Sequence, residues 1–249
     1  MKEVFANPKC LTDKPFLYCP GCSHGIAHRL VAEAIDELGI RGRIVGVSTI
    51  GCSVRCWLNF DIDIVQGAHG RGMAVATGLK RALPDKVVFT YQGDGDLAAI
   101  GMGETLHAAA RGEAITVIFI NNGVFGATGG QLAPTTLVGQ KTSTYPQGRD
   151  ATWTGAPIRV AELLAQLPAT TYVARDALTS PQRVLSAKQK VLKAFDAQIT
   201  HGGFGLVELL AACPVNLKLK PVDALRWVEE NMIPYYPLGE FKSGREAMA

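Results

Sequence analysis

Lys86-Val87-Val88-Phe89-Thr90-Tyr91-Gln92-Gly93-Asp94-Gly95-Asp96 is an apolar run that ends in an acidic, glycine-punctuated turn. Its reading decides the fold. Lys86 to Gln92 predicts a buried strand, Leu97 to Arg111 a helix, and Ala114 to Ile120 the next strand, closed by Asn121-Asn122. Strand, helix and strand within about 35 residues make one βαβ unit with parallel strands. Ligands of such sheets bind outside the carboxyl ends of the strands, and both polar turns lie there. A carboxylate on one strand end and an amide on another can converge on one small, hard cation. Magnesium takes oxygen ligands and is usually shared with substrate phosphates. The glycines let a phosphate come close to the backbone, and the following helix offers it an N-terminus. The stretch therefore describes a Mg²⁺-diphosphate site. Either turn alone is an ordinary loop signal; the pair at the two ends of one βαβ unit is not.

Outward from this unit the elements alternate, which predicts an α/β fold with a mostly parallel sheet and helices on both faces. Ser23 caps a helix to Leu38 that stops at Gly39. Arg43 to Ile50 and Asp61 to Val65 are strands, and Arg71 to Leu83 is a helix ended by Pro84. Gly123 to Ala156 has no clear period and reads as a long functional loop, a lid or a partner contact. Ile158 to Leu167 is helical and Thr171 to Ala174 a strand. Ser180-Pro181 opens a helix that ends near His201-Gly202-Gly203, and Phe204 to Ala212 is the last strand. The chain reads as a single domain, residues 1–249. It has an N-terminal arm (about 1–25) and a tail (about 218–249) that packs on a partner through Trp227, Tyr235 and Tyr236, or covers the core.

Six cysteines form the second constellation: Cys10, Cys19, Cys22, Cys52, Cys56 and Cys213. Met1 to Pro8 has no apolar h-region and no apolar run reaches membrane-spanning length, so the expectation is a cytoplasmic chain with reduced thiols. Clustered cysteines then suggest a metal. Cys19-Pro20-Gly21-Cys22 is a C-x2-C turn. Cys52 and Cys213 each follow an apolar run, so both sit at strand ends. Four thiolates from three loops suit zinc or a [4Fe–4S] cluster. Cys56 is a rival for Cys52, Cys10 reads as a free thiol in the arm, and a thioredoxin-like pair is an alternative for Cys19 and Cys22.

These motifs together resemble the β subunit of the 2-oxoacid:ferredoxin oxidoreductases. The matching segments are Cys19-Pro20-Gly21-Cys22-Ser23-His24-Gly25, Ile50-Gly51-Cys52-Ser53, His69-Gly70-Arg71, Gly93 to Asp96, and Asn121 to Gln131. The resemblance covers roughly residues 15 to 215. It implies a thiamine diphosphate-binding fold, with Mg²⁺ held by Asp94, Asn122 and the Val124 carbonyl, and a [4Fe–4S] cluster on Cys19, Cys22, Cys52 and Cys213. It implies that Ile50, Gly51, Cys52, Ser53, His69, Gly70, Gly93, Asp94, Gly95, Asp96, Asn122, Val124, Thr128 and Gly129 surround the cofactor. Arg55 is the candidate charge for a substrate carboxylate, and His69 lies beside the cofactor. The implied activity is CoA-dependent oxidative decarboxylation of a 2-oxoacid with reduction of ferredoxin. Thiamine enzymes as a class use a glutamate on a second, pyrimidine-binding domain. This chain has room only for the diphosphate-binding one, so the resemblance implies an α-type partner, with γ and ferredoxin-like δ subunits as further ones. There is no two-cluster ferredoxin run.

Composition agrees. Net charge is +3 and 47% of residues are hydrophobic, without a Lys/Arg stripe, which argues against a nucleic-acid binder. Two other classes stay open: a non-redox thiamine enzyme subunit, which has no use for four convergent cysteines, and a zinc-stabilised binding module. The substrate is unspecified, although Trp57-Leu58 after Arg55 favours an apolar or branched 2-oxoacid.

Overall fold

The computed structural model describes residues 6–244. Seven strands form one sheet in the order β2-β1-β3-β4-β8-β7-β9. These are β1 Ile44–Ser48, β2 Asp63–Gln66, β3 Val87–Gly93, β4 Thr116–Asn121, β7 Thr170–Ala177, β8 Phe204–Leu210 and β9 Gly239–Ser243, while β5 Val124–Phe125 and β6 Gln131–Leu132 form a separate hairpin. All sheet pairings are parallel except β9, which runs antiparallel to β7.

Helices cover both faces because β-strand side chains alternate and both sets here are apolar. Phe89, Ile118 and Val207 point into one core with the helices His24–Glu37 and Pro181–His201. Val88, Val117 and Leu206 point into the other, with the helices Gly72–Ala82, Met102–Ala110 and Val160–Ala165. This is the expected doubly wound α/β arrangement. The chain leaves β1 for one neighbour, β2, and returns on its other side as β3. The ends of β1 and β3 therefore flank the topological switch point, where such folds bind ligands.

Four local expectations are revised. The helix after Gly93-Asp94-Gly95-Asp96 opens as a π-turn, Gly95–Ile100, in which the Gly101 N–H reaches back to the Asp96 carbonyl at 2.8 Å; a regular α-helix resumes only at Met102. Ser23 stands at the N-cap but does not cap. Its Oγ accepts from the Ala212 N–H at 2.9 Å, tying the Cys19–Cys22 turn to the end of β8. The 123–156 stretch contains the β5–β6 hairpin and a short helix, Ala151–Thr154. It is held from inside by Arg149, only 4% exposed. This guanidinium donates to the carbonyls of Ala133, Pro134, Thr136, Thr154, Gly155 and Ala156 and to the Thr154 hydroxyl, over distances of 2.6 to 3.3 Å.

The segment after Pro221 is also structured: a helix Pro221–Trp227, a π-turn Val228–Met232, a turn Ile233–Tyr235 and β9. Its apolar residues pack on Leu137, Ala177, Leu210 and Ala212 of this same chain. Tyr236 is fully buried and donates to the Thr135 carbonyl at 2.7 Å. Tyr235 donates to the Pro157 carbonyl at 2.9 Å, and Trp227 packs partly against the same cluster. Of the two readings of this segment, a cover for the core is the one these contacts match. The remainder of the tail, 245–249, and residues 1–5 of the arm lie outside the described residues. No helix among the described residues is long and apolar enough to cross a membrane.

Candidate cofactor site

A cleft of about 510 Å³ opens at the carboxyl ends of β1, β3 and β4. Ile50, Gly51, Cys52 and Ser53 line it from beyond β1, His69 from beyond β2, Gly93 to Asp96 at the end of β3, and Asn122, Val124 and Thr128 from beyond β4. Of the cofactor-binding residues expected from sequence, Gly70 and Gly129 do not line the cleft. Gly70 instead packs behind it at φ +76, where a Cβ would meet Ile100 Cβ at 2.7 Å. His24, Phe125, Gly126 and Ala127 also line it and were not singled out, although all four lie inside the quoted segments.

Each acidic residue of the turn has its own role. Asp94 is 2% exposed. One of its oxygens accepts from the Gly95 N–H at 3.0 Å, the other from the Val124 N–H at 3.1 Å and the Thr135 hydroxyl at 3.0 Å. Among the described residues no cationic side chain is paired with it, and burial pushes its carboxyl up to about 7. Thr135, which no sequence signal marks, thus helps hold the principal carboxylate. Asp96 accepts from four groups: His69 Nδ1–H at 2.7 Å, the Gly70 N–H at 2.6 Å, the Thr49 hydroxyl at 2.5 Å and the Gln92 amide. Because a carboxylate only accepts, this pairing places the His69 proton on Nδ1.

Asn121-Asn122 divides in the same way. Asn121 is fully buried, donating to Glu208 at 2.7 Å and accepting from the Gly123 N–H at 3.1 Å. Glu208 is in turn held by Arg175, which also pairs with Glu162. Asn122 lines the cleft and accepts from the Val124 N–H at 3.2 Å. A Cβ at Gly93 would meet nothing within 4 Å, so this glycine leaves space at the cleft wall. At Gly95 a Cβ would lie 2.4 Å from the Phe125 ring, so only glycine admits that ring.

Beside the cleft, Cys19, Cys22, Cys52 and Cys213 lie near enough to influence one another electrostatically. Burial and the neighbouring Cys213, Cys52 and Cys19 push the Cys22 thiol up to about 12. Burial, with Cys213 and Cys19, pushes Cys52 up to about 11. The Asn216 amide donates to Cys213 Sγ at 3.1 Å, and Cys52 Sγ faces Gly126, 3.5 Å from where a Cβ there would be. Cys56 is fully buried. Burial likewise pushes it up to about 12, but its polar neighbour is the Ser48 hydroxyl and not the other four cysteines. Cys10 is buried as well. Among the described residues no three His, Cys, Asp or Glu side chains form a ready site for a single metal ion. Arg55 stays outside the cleft, donating to the Leu17 carbonyl at 2.7 Å.

Residues 49–209 match the family described as thiamine pyrophosphate enzyme, C-terminal TPP binding domain. The fold and cleft are thus those of a thiamine diphosphate-binding domain. The ketoisovalerate oxidoreductase subunit VorA of Methanothermobacter thermautotrophicus is 48% identical over 90% of this chain and 47% of its own length. The 2-oxoglutarate synthase subunit KorB of Archaeoglobus fulgidus is 39% identical over 93% of this chain and 82% of its own. The structure of the 2-oxoglutarate:ferredoxin oxidoreductase from Magnetococcus marinus, with 2-oxoglutarate, coenzyme A and succinyl-CoA bound, superposes with a TM-score of 0.81 at 25% identity, over 99% of this chain and 87% of that one. Within the thiamine class, the chain belongs to the 2-oxoacid:ferredoxin oxidoreductase subunits. It spans about half the length of its VorA relatives, 47% and 51%.

Proposed function

We propose that this chain is the β-type subunit of a CoA-acylating 2-oxoacid:ferredoxin oxidoreductase. In this reading it carries Mg²⁺-thiamine diphosphate and one [4Fe–4S] cluster. The observation that carries it is the adjacency of a buried, cation-free carboxylate and four clustered thiols at one edge of the sheet. Asp94, Asn122 and the Val124 carbonyl would hold the Mg²⁺; hard oxygen donors are what that ion takes. The buried Asp94 carboxylate needs a positive charge to ionise fully at neutral pH. Ser53 Oγ, buried in the cleft wall without a hydrogen-bond partner, fits a polar guest. Cys19, Cys22, Cys52 and Cys213 would ligate the cluster, since mutually raised thiols become thiolates when iron binds them.

When bound, thiamine diphosphate supplies the carbon nucleophile and electron sink for decarboxylation, and the cluster supplies a one-electron acceptor. The chain's own groups do the positioning. Asp96 holds His69 in one tautomer at the cleft edge. Phe125, packed on Gly95, forms part of the cleft wall. Arg55, three residues after Cys52, lies outside the cleft and would have to leave the Leu17 carbonyl to meet a substrate carboxylate. An α-type partner supplies the pyrimidine-binding domain, and the 123–156 loop with the outer side of the segment after Pro221 forms the contact. The branched, apolar 2-oxoacids are the preferred substrate class, in line with the VorA names.

The test is anaerobic purification of the complex, with iron and thiamine diphosphate counted and 2-oxoacid oxidation assayed with CoA and a viologen. Stoichiometric thiamine diphosphate and brown iron–sulfur absorbance with CoA-dependent turnover are expected. Bound thiamine diphosphate without iron would replace this reading by the non-redox enzyme; neither group bound would leave the binding module.

A further inference from the structure

His24 follows the Cys19–Cys22 turn by two residues, begins its helix and lines the cleft. Its ring is stacked on Tyr18, with centroids 4.8 Å apart and planes at 11°. Its Nδ1 lies 2.8 Å from the Tyr91 hydroxyl. Tyr91 is fully buried on β3, and among the described residues His24 is the only hydrogen-bond partner of its hydroxyl. The Tyr18 hydroxyl is engaged elsewhere, by His28 Nε2 at 2.9 Å.

This arrangement selects a tautomer. If Nδ1 carried the proton, the Tyr91 O–H would have no acceptor. A buried donor left unpaired costs about 1–3 kcal/mol. If Tyr91 donates to Nδ1, that cost disappears and the imidazole proton must sit on Nε2. Among the described residues Nε2 has no hydrogen-bond partner, and it belongs to a cleft-lining side chain.

We propose that His24 is a catalytic residue, a hydrogen-bond donor locked by Tyr91 in its Nε2–H form and directed at an oxygen of the bound 2-oxoacid. The inference rests on the oxidoreductase reading above. The carbonyl oxygen gains negative charge when its carbon is attacked, and a preset donor at that oxygen stabilises the charge without reorganising. Tyr91 is then a positioning residue that acts through His24.

Three variants of the whole complex test this: His24→Phe, which keeps the stacked ring and removes the donor; His24→Gln, which returns an amide N–H near Nε2; and Tyr91→Phe, which releases the tautomer. Iron and thiamine diphosphate contents, kcat and KM for the 2-oxoacid, and the affinity of an acylphosphonate analogue that cannot be decarboxylated are measured for each. With both cofactors retained, kcat in His24→Phe is expected to fall about 100-fold. Analogue affinity should weaken alongside, and His24→Gln should recover part of both. Tyr91→Phe should lower kcat about tenfold with KM little changed. Full turnover in His24→Phe overturns the proposal, as does a loss explained by missing thiamine diphosphate or iron. If His24→Phe fails to fold, an unchanged kcat in Tyr91→Phe overturns it. A wild-type complex without 2-oxoacid turnover would instead sink the oxidoreductase reading.

Discussion

The Gly93–Asp96 turn and the Asn121-Asn122 turn each carry two polar residues of one kind, and in each pair the two are treated differently. Asp96 is saturated by four donors from the residue after β1, from β3 and from the 69–70 loop. Asp94 faces the cleft with no counter-charge among the described residues. Asn121 is bound into the Glu208–Arg175 network beneath the sheet end, while Asn122 reaches the cleft. One member of each pair is bound into the wall, and in the proposed reading the other would meet the guest. A repeated residue in a short motif therefore need not mean a repeated role. Burial cannot tell the two aspartates apart, since both are 2% exposed; the origin of their partners does.

The sharpest extension of this contrast is a third pair, Cys52 and Cys56. Cys52→Ser should lose the bulk of its iron, whereas Cys56→Ser should keep it and lose at most about 1–2 kcal/mol of stability. Iron and sulfide analysis decides. Iron lost from Cys56→Ser and kept in Cys52→Ser would reverse the assignment. Next, Asp94→Asn should weaken thiamine diphosphate binding by about 100-fold, the worth of about 3 kcal/mol, and leave the melting temperature nearly unchanged. Asp96→Asn should do the converse. Disrupting a buried acceptor of four bonds costs about 3 kcal/mol, or roughly 6 to 12 °C in melting temperature for a chain of this size. If calorimetry and cofactor counting show the same profile for both variants, the division of labour fails.

The smallest effect, taken per pH unit, is in pH. Asp94 is raised to about 7 in the folded chain, against an ordinary value of 3.8. The folded state therefore binds the extra proton between these values. The stability this group contributes is fully present below about 3.8 and is lost as pH rises through about 7. The slope is at most about 1.4 kcal/mol per pH unit. In the cofactor-free chain, the stability gap between wild type and Asp94→Asn should change in this window alone. A gap flat from pH 4 to 8 would show that the carboxylate is already ionised.

The sheet was legible because parallel strands buried on both faces are continuous apolar runs, and because polar turns at their ends are conspicuous. Cys52 and Cys213 could be placed near one another for the same reason, as residues of strand-end loops, while Cys19 and Cys22 were paired by their C-x2-C spacing. Three things were hidden. The π-turn after Asp94 depends on close packing of Gly70 against Ile100, a tertiary contact with no local signal. Ser23 looks like a cap, but the cap bond loses to a partner 189 residues away, Ala212. The segment after Pro221 is polar enough in sequence to pass for a tail. Its apolar residues matter only once Leu137 and Leu210 are in place beneath them, and β9 finds its register on β7 in three dimensions. Thr135 was missed because a lone threonine in a loop carries no pattern.

Arg149 has a consequence for the loop it organises. A guanidinium enclosed by carbonyl oxygens, with no carboxylate opposite among the described residues, is coordinated much as a crown ether coordinates an ammonium ion. The 123–156 stretch behaves as the host and the side chain as a tethered guest. A host can be emptied and refilled. Arg149→Gly should loosen the loop and raise protease cleavage between Gly123 and Ala156, and millimolar free guanidinium, far below denaturing concentration, should restore protection. Lysine should not substitute, because a single ammonium cannot span a fork of carbonyls set for a planar ion.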